Sequence, residues 1–432
     1  MKRLIKKLLS LSLFFLLLVS SSLAQGLPTA EPEEVGLSAE RLSRIEKVMK
    51  DYVTQKKIPG VVALIARKGK VAYLKSFGMM DIKVGKPMRN DTIFRIASMS
   101  KSITCTAAMI LHEEGHFLLN DQLSRYIPEF KNPMVLASKL KDNPEQVETV
   151  PAKGPIRIKH LFTHTSGIGY AFNDSKLLPI YRKAGVPDGA VAIDSTIGEK
   201  MKILAGLPLA HHPGEAVEYG LSIDVLGYLV EVVSGMTLDK FFKERIFKPL
   251  RMKDACFFLP EEKRERLASL YEPTKAAGLK KYPDGMVERG TFKFSPSFPY
   301  EGPKTYFSGG AGLCSTVSDY ACYAQMLLNG GKLEGVRLLS RKSIEFMTIN
   351  QVGDLSSPGF GLGYGLQVIT DLANSGSIGS NGIYSHLGIF YTSFWVDPKE
   401  EMIGIMLAQI YPWGDLDLIG KFRVLANQAI ID

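Results

Sequence analysis

Ser98-Met99-Ser100-Lys101-Ser102-Ile103-Thr104-Cys105-Thr106-Ala107-Ala108-Met109-Ile110-Leu111 begins polar and then stays apolar on nearly every side. That pattern belongs to a helix running through a core, and it predicts a helix over 98–114. At its start a serine and a lysine stand three residues apart, which sets a hydroxyl beside an amine on one face. The free N–H groups and partial positive charge of a helix N-terminus favour a developing oxyanion and a neutral Lys101 able to accept the Ser98 proton. The same residues also describe a serine N-cap followed by a solvated lysine, since serine is a common cap. A second match, Ser138-Lys139-Leu140-Lys141, lies in a polar stretch without an apolar helix behind it, so context singles out Ser98.

Upstream, the β-branched and apolar runs 61–66 and 71–77 flank Arg67-Lys68-Gly69-Lys70 and predict two antiparallel strands joined by a short turn. Residues 37–53 precede them with helical spacing of Leu42, Ile45 and Val48, and with Ser38 as N-cap. Strand patterns return only near the other end, at 364–370, 386–396 and 402–409, the last two joined through Asp397-Pro398-Lys399-Glu400. Residues 223–233, 238–247 and 318–328 read as helices. The expected fold class is α+β, with one lobe an antiparallel sheet flanked by helices and the other all helical. The α/β lobe takes about 25–115 and 301–432, the helical lobe about 116–300, within a single catalytic domain over 25–432.

The 432 residues are 45% hydrophobic and 22% charged, a globular composition that excludes disordered and collagenous classes. The formal charge of +9 suggests an anionic partner until its location is traced. Lys2, Arg3, Lys6 and Lys7 precede the apolar run 8–19 and Ser22-Leu23-Ala24, the three regions of a secretory signal peptide over 1–24, with cleavage expected after Ala24. Without those four positive charges the balance falls to +5. The other basic residues are interspersed with acids, as in Glu261-Glu262-Lys263-Arg264-Glu265-Arg266, the signature of a solvated helix face rather than of nucleic-acid binding. No later apolar run is long enough to span a bilayer and no cysteine follows the first run to take a lipid. The expectation is an exported protein, periplasmic or secreted, with no stable membrane anchor after cleavage. Cys105, Cys256, Cys314 and Cys322 lack framework spacing and read as mostly free, buried thiols.

Two further motifs carry chemistry. Pro213-Gly214-Glu215-Ala216-Val217-Glu218-Tyr219 ends in a tyrosine just before a helix over 222–234 closed by Gly235. A phenol at such a place, beside a lysine, can act as a general base; a loop tyrosine is more often a packing residue. His386-Leu387-Gly388 opens the late strand, where glycine admits a close backbone approach.

Ser98-x-x-Lys101, Tyr219 and His386-x-Gly388, in that order, resemble the three motifs of the class C β-lactamase and penicillin-recognising serine hydrolase superfamily. The stretches IRIKHLFTHTSGIG (156–169), IFKPLRMKDACFF (246–258) and FSGGAGLCSTVSDYACYAQMLLNGG (307–331) are similar too. The resemblance implies Ser98 as acylated nucleophile, Lys101 as its proton acceptor or electrostatic partner, and Tyr219 as general base for acylation and deacylation. It implies that His386, in place of the usual lysine of a Lys-Thr-Gly triplet, helps bind the acyl carboxylate or tunes the Tyr219 proton. The oxyanion hole would be the N–H groups of Ser98 and Ile389, next to Gly388. Leu221 stands where the family's β-lactamases usually carry an asparagine that grips the acyl amide, and Tyr-x-Leu with His-x-Gly looks more like the carboxylesterase and transesterase branch. The implied activity is ester hydrolysis through an acyl-enzyme on a small-molecule ester, without cofactor or metal. A β-lactamase, a D-amino-acid peptidase acting on cell-wall peptides and a non-catalytic binding module are the alternatives.

His112-Glu113-Glu114-Gly115-His116 spells the zinc-protease pattern HExxH. Gly115 is expected to stop the helix and carry His116 off the face of His112. His160, His164, His211 and His212 read as structural or as loop residues. Gly361-Leu362-Gly363-Tyr364-Gly365 leads into a strand and is no dinucleotide fingerprint.

Overall fold

The computed structural model describes residues 26–137, 148–174, 176–275 and 278–432. The expected signal peptide and the second Ser-x-x-Lys at 138–141 lie outside the described residues. Helix α1 (Ala39–Thr54) begins at Ser38, whose side chain accepts from the Arg41 amide as expected of an N-cap. It leads to β1 (Gly60–Arg67), β2 (Lys70–Asp81), the short β3 (Lys86–Pro87) and α2 (Ser100–Glu113). The middle contributes α3 (Ser222–Ser234) and α4 (Val317–Leu328), and the C-terminal part β4 (Phe360–Leu362), β5 (Gln367–Ile369), β6 (Tyr384–Gly388), β7 (Thr392–Asp397), β8 (Met402–Ala408) and α5 (Leu418–Asn427).

The eight strands form one sheet in the order β4-β5-β6-β7-β8-β1-β2-β3, every neighbour antiparallel. The two chain ends meet where β1 pairs with β8, Ala63 opposite Met406. All eight residues of β1 are buried because helices cover both faces, which is why its sequence is a continuous apolar run without alternation. Val61, Ala63 and Ile65 pack with Met402 and Met406 against Ile45 and Met49 of α1 and Leu418 and Phe422 of α5. Val62, Leu64 and Ala66 turn the other way, into the core shared with Ile103 and Ala107 of α2 and Tyr320 of α4.

Three expectations are corrected. The strand expected over 386–396 is a hairpin: β6 ends at Gly388, and Tyr391 at φ 70 turns the chain into β7. The pattern hid the turn because residues 389–391 are as apolar as the strands they join. The middle segment is not all helical. Two-stranded ribbons pair Met134–Leu136 with Thr149–Pro151, Tyr271–Pro273 with Leu279–Lys281, and Val287–Arg289 with Phe292–Phe294. Such three-residue strands are too short to show a period in the sequence. Residues 238–247 are α-helical only over Leu238–Phe242 and then widen into a π turn over Lys243–Phe247. Helix α2 does stop where the glycine signal says: Gly115 has φ 80, and His116 lies beyond the last helical residue, Glu113. All four cysteines are free thiols.

Candidate active site

Ser98 sits in a single 3-10 turn, Ala97–Met99, that feeds α2. The turn is entered through Ala97 at φ 44, a left-handed conformation that costs a non-glycine residue about 1–3 kcal/mol. Two contacts hold it: the Ile96 amide donates to Leu313 O at 3.0 Å, and Ile96 O accepts from Thr392 Oγ1 at 3.2 Å. One turn further, Lys101 is fully buried and its Nζ donates to Ser98 Oγ (3.0 Å), Tyr170 Oη (3.2 Å) and Gly310 O (2.8 Å). Three acceptors match the three N–H bonds of an ammonium group. Lys101 Nζ also lies 4.7 Å from the centre of the Tyr219 ring, so the charge faces the aromatic π-system.

Tyr219 is held by the segment 163–169. The Glu218 amide donates to His164 O at 2.7 Å and the Gly220 amide to His164 Nδ1 at 3.2 Å. His164 and Tyr219 rings lie 4.7 Å apart. Gly220 is required here, because a Cβ would come within 2.2 Å of Ile168 O. His164 is buried, and desolvation, with the nearby Lys101 charge, holds its pKa well below the ordinary value and the ring neutral.

On the opposite wall the β6–β7 turn brings Gly388 and Ile389 to Ser98. Gly388 serves a packing need: a Cβ there would stand 2.1 Å from Thr392 Oγ1 and 2.4 Å from Ile96 O. Ser98, Tyr170, Tyr219, Gly388 and Ile389 line one cleft of about 200 Å³. Tyr219, His164 and His386 line an adjoining cleft of about 290 Å³ with Phe162 and Leu366. His386 is half-buried; desolvation and then the Lys101 charge push its pKa down to about 3. Leu221 is fully buried in the main core and lines neither cleft, so the expected substrate contact at position 221 is not found.

The Beta-lactamase family matches residues 45–428. The chain belongs to that family. Esterase EstB of Burkholderia gladioli is 31% identical over 380 residues, covering 85% of this chain and 90% of EstB. The ML-236A carboxylate methylbutanoyltransferase mlcH of Penicillium citrinum is 29% identical over 332 residues, 74% of this chain and 72% of that one. Among solved structures, EstCE1, a hydrolase with promiscuous acyltransferase activity, superposes with a TM-score of 0.79 at 28% identity, over 90% of this chain and 98% of that chain.

In this member of the Beta-lactamase family, several groups at the site escape a sequence reading. Asp224 in the first turn of α3 is fully buried and accepts from Ser308 Oγ (2.5 Å) and the Gly310 amide (3.3 Å). Burial raises its pKa, against the lowering effect of Ser308 and Lys101. Tyr170 is kept protonated by burial and by Asp224, which together push its pKa well up. Trp413 Nε1 donates to Ile389 O at 3.0 Å and so fixes the turn that presents the Ile389 amide. Asp188 lines the Ser98 cleft, pairs with Arg182 at 2.8 Å, and has its pKa pushed up to about 6 by desolvation. His164, expected to be structural, lines the second cleft. The signal open to a reader was a charged residue in an otherwise apolar helix, as at Asp224; Trp413 and Asp188 gave none.

The HExxH histidines do not converge: His112 Nδ1 meets Phe117 O at 2.9 Å, while His116 faces Glu114 at 3.8 Å. His160 Nδ1 accepts from the Arg157 amide at 3.2 Å, a local cap, and His212 Nδ1 from the Lys153 amide at 3.2 Å.

Proposed function

We propose that this protein is a serine hydrolase that cleaves small carboxylic esters through an ester on Ser98, within one catalytic domain over 25–432. The observation that carries the reading is the 3.0 Å contact between Lys101 Nζ and Ser98 Oγ, beside Tyr219 and above a cleft lined by Gly388 and Ile389. Tyr219 takes the Ser98 proton as Oγ attacks the ester carbonyl, and the Ser98 and Ile389 amides hold the oxyanion. The tetrahedral intermediate expels the alkoxide, which recovers the proton from Tyr219. A water that loses its proton to Tyr219 then attacks the acyl carbon, and Ser98 leaves with that proton. In this scheme Tyr219 starts and ends each half-reaction as a phenolate balanced by the Lys101 ammonium, and it is protonated only between the two transfers.

Ester is favoured over β-lactam because His386, held neutral, offers no fixed positive charge to a β-lactam carboxylate. EstB and EstCE1 support the same choice, and mlcH and EstCE1 support transfer of the acyl group to an alcohol as a second outcome. Export is part of the proposal, carried by the basic, apolar and small-residue regions of 1–24, and cleavage after Ala24 would leave Gln25 as the first residue of the isolated protein.

The test is a parallel assay of a short-chain aryl ester, a chromogenic cephalosporin and a D-Ala-D-Ala peptide. Ester turnover is expected to dominate, and Ser98→Ala is expected to abolish it together with covalent labelling by a fluorophosphonate. Rapid cephalosporin turnover without ester activity would replace the substrate class, and an active Ser98→Ala variant would remove the nucleophile.

A further inference from the structure

Behind the loop that holds Lys101 lies a second cavity, of about 540 Å³, which the reaction at Ser98 does not use. Its apolar wall is Phe247, Met252, Phe257, Phe258 and Phe307. The Phe257 and Phe307 rings meet edge to face at 5.3 Å and Phe258 lies 5.6 Å from Phe307. Five cations, Lys243, Lys248, Arg251, Lys253 and Lys263, stand around it against one acid, Asp239. Glu244, Glu334 and Asp254 pair with Lys248 (2.7 Å), Arg251 (2.6 Å) and Lys263 (3.0 Å). Among the described residues the charges of exposed Lys243 and Lys253 have no such partner. The π turn over Lys243–Phe247 gives one end residue to the rim and the other to the floor, and such turns concentrate at functional sites.

An apolar floor under a rim of net positive charge, with Asp239 the one acid in the lining, is complementary to an amphiphile with an apolar tail and an anionic head. We propose that this cavity binds a free long-chain carboxylate, its tail among the phenylalanines and its head between Lys243 and Lys253. The site is separate from the catalytic cleft: Phe307 faces the cavity, while Ser308 and Gly310 on the same loop turn to Asp224 and Lys101.

The experiment titrates dodecanoate, below micelle formation, into the whole protein with Ser98 blocked by a phosphonate, followed by calorimetry. One site is expected. Hexanoate should bind more weakly, by up to about fourfold per missing methylene, and dodecyltrimethylammonium should not bind. The double variant Lys243→Glu/Lys253→Glu, both on the exposed rim, should weaken dodecanoate about tenfold with its thermal midpoint unchanged. Equal affinity in the double variant, loss of binding once Ser98 is blocked, or equal binding of the cationic amphiphile would each overturn the proposal. So would a protein that binds vesicles of anionic phospholipid while ignoring dodecanoate.

Discussion

Lys101 is buried in the core with its Nζ within hydrogen-bond distance of Ser98 Oγ, Tyr170 Oη and Gly310 O. In the proposed mechanism the proton moves through Tyr219, so Tyr219→Phe should lower kcat by roughly 10²–10⁴ while the protein still forms the acyl-enzyme slowly. Stopped-flow burst analysis against an aryl ester reads both steps; a wild-type rate would return the base role to Lys101. Two groups facing the clefts differ in what they titrate. His386 is neutral down to about pH 3, whereas Asp188 gains its charge as pH rises through about 6. Any inflection of kcat/KM near pH 6 should vanish in Asp188→Asn and persist in His386→Gln.

The β6–β7 hairpin and the 3-10 turn at Ser98 are one mechanical unit. Gly388 lets the hairpin rest on Ile96 O, Thr392 Oγ1 bonds the same carbonyl, and Trp413 fixes Ile389 O. Gly388→Ala forces a methyl into that contact and should cost about 1–3 kcal/mol as an overpacked site. Because the displaced elements carry both amides of the expected oxyanion hole, kcat should fall by more than the loss of folded protein explains. Urea unfolding and active-site titration with a fluorophosphonate separate the two effects. Unchanged kcat per labelled site would show that the turn tolerates the shift.

For the molecule as a whole, burial of neutral imidazoles sets the response to acid. His160 is pushed down to about 4 and His386 to about 3, with His164 also well below its ordinary value. The unfolded chain, with histidines near 6.5, binds these protons first, so stability is full above about pH 6.5 and falls as pH drops toward 4. Asp188 and Glu231, raised to about 6 and about 7 by desolvation, act with the opposite sign. The comparison that isolates one group is His160→Gln: its urea midpoint should fall less between pH 7 and pH 4 than that of the parent. Identical slopes would mean His160 keeps its ordinary pKa.

What the sequence determined alone is what local geometry enforces. An i,i+3 spacing on a helix start sets Lys101 beside Ser98 wherever the helix goes, Gly115 ends that helix, and apolar runs make β1, β2 and β8 strands. The tertiary structure decided the rest, because those groups meet only after long loops close. Tyr170 reaches Lys101 across 69 residues and Gly310 across 209. Asp188 and Trp413 carry no local signal for the same reason, and Asp224 shows only a charge in an otherwise apolar helix. Leu221, two residues from Tyr219, showed the converse: neighbours in sequence part at the start of α3, where one side chain enters the cleft and the other the core.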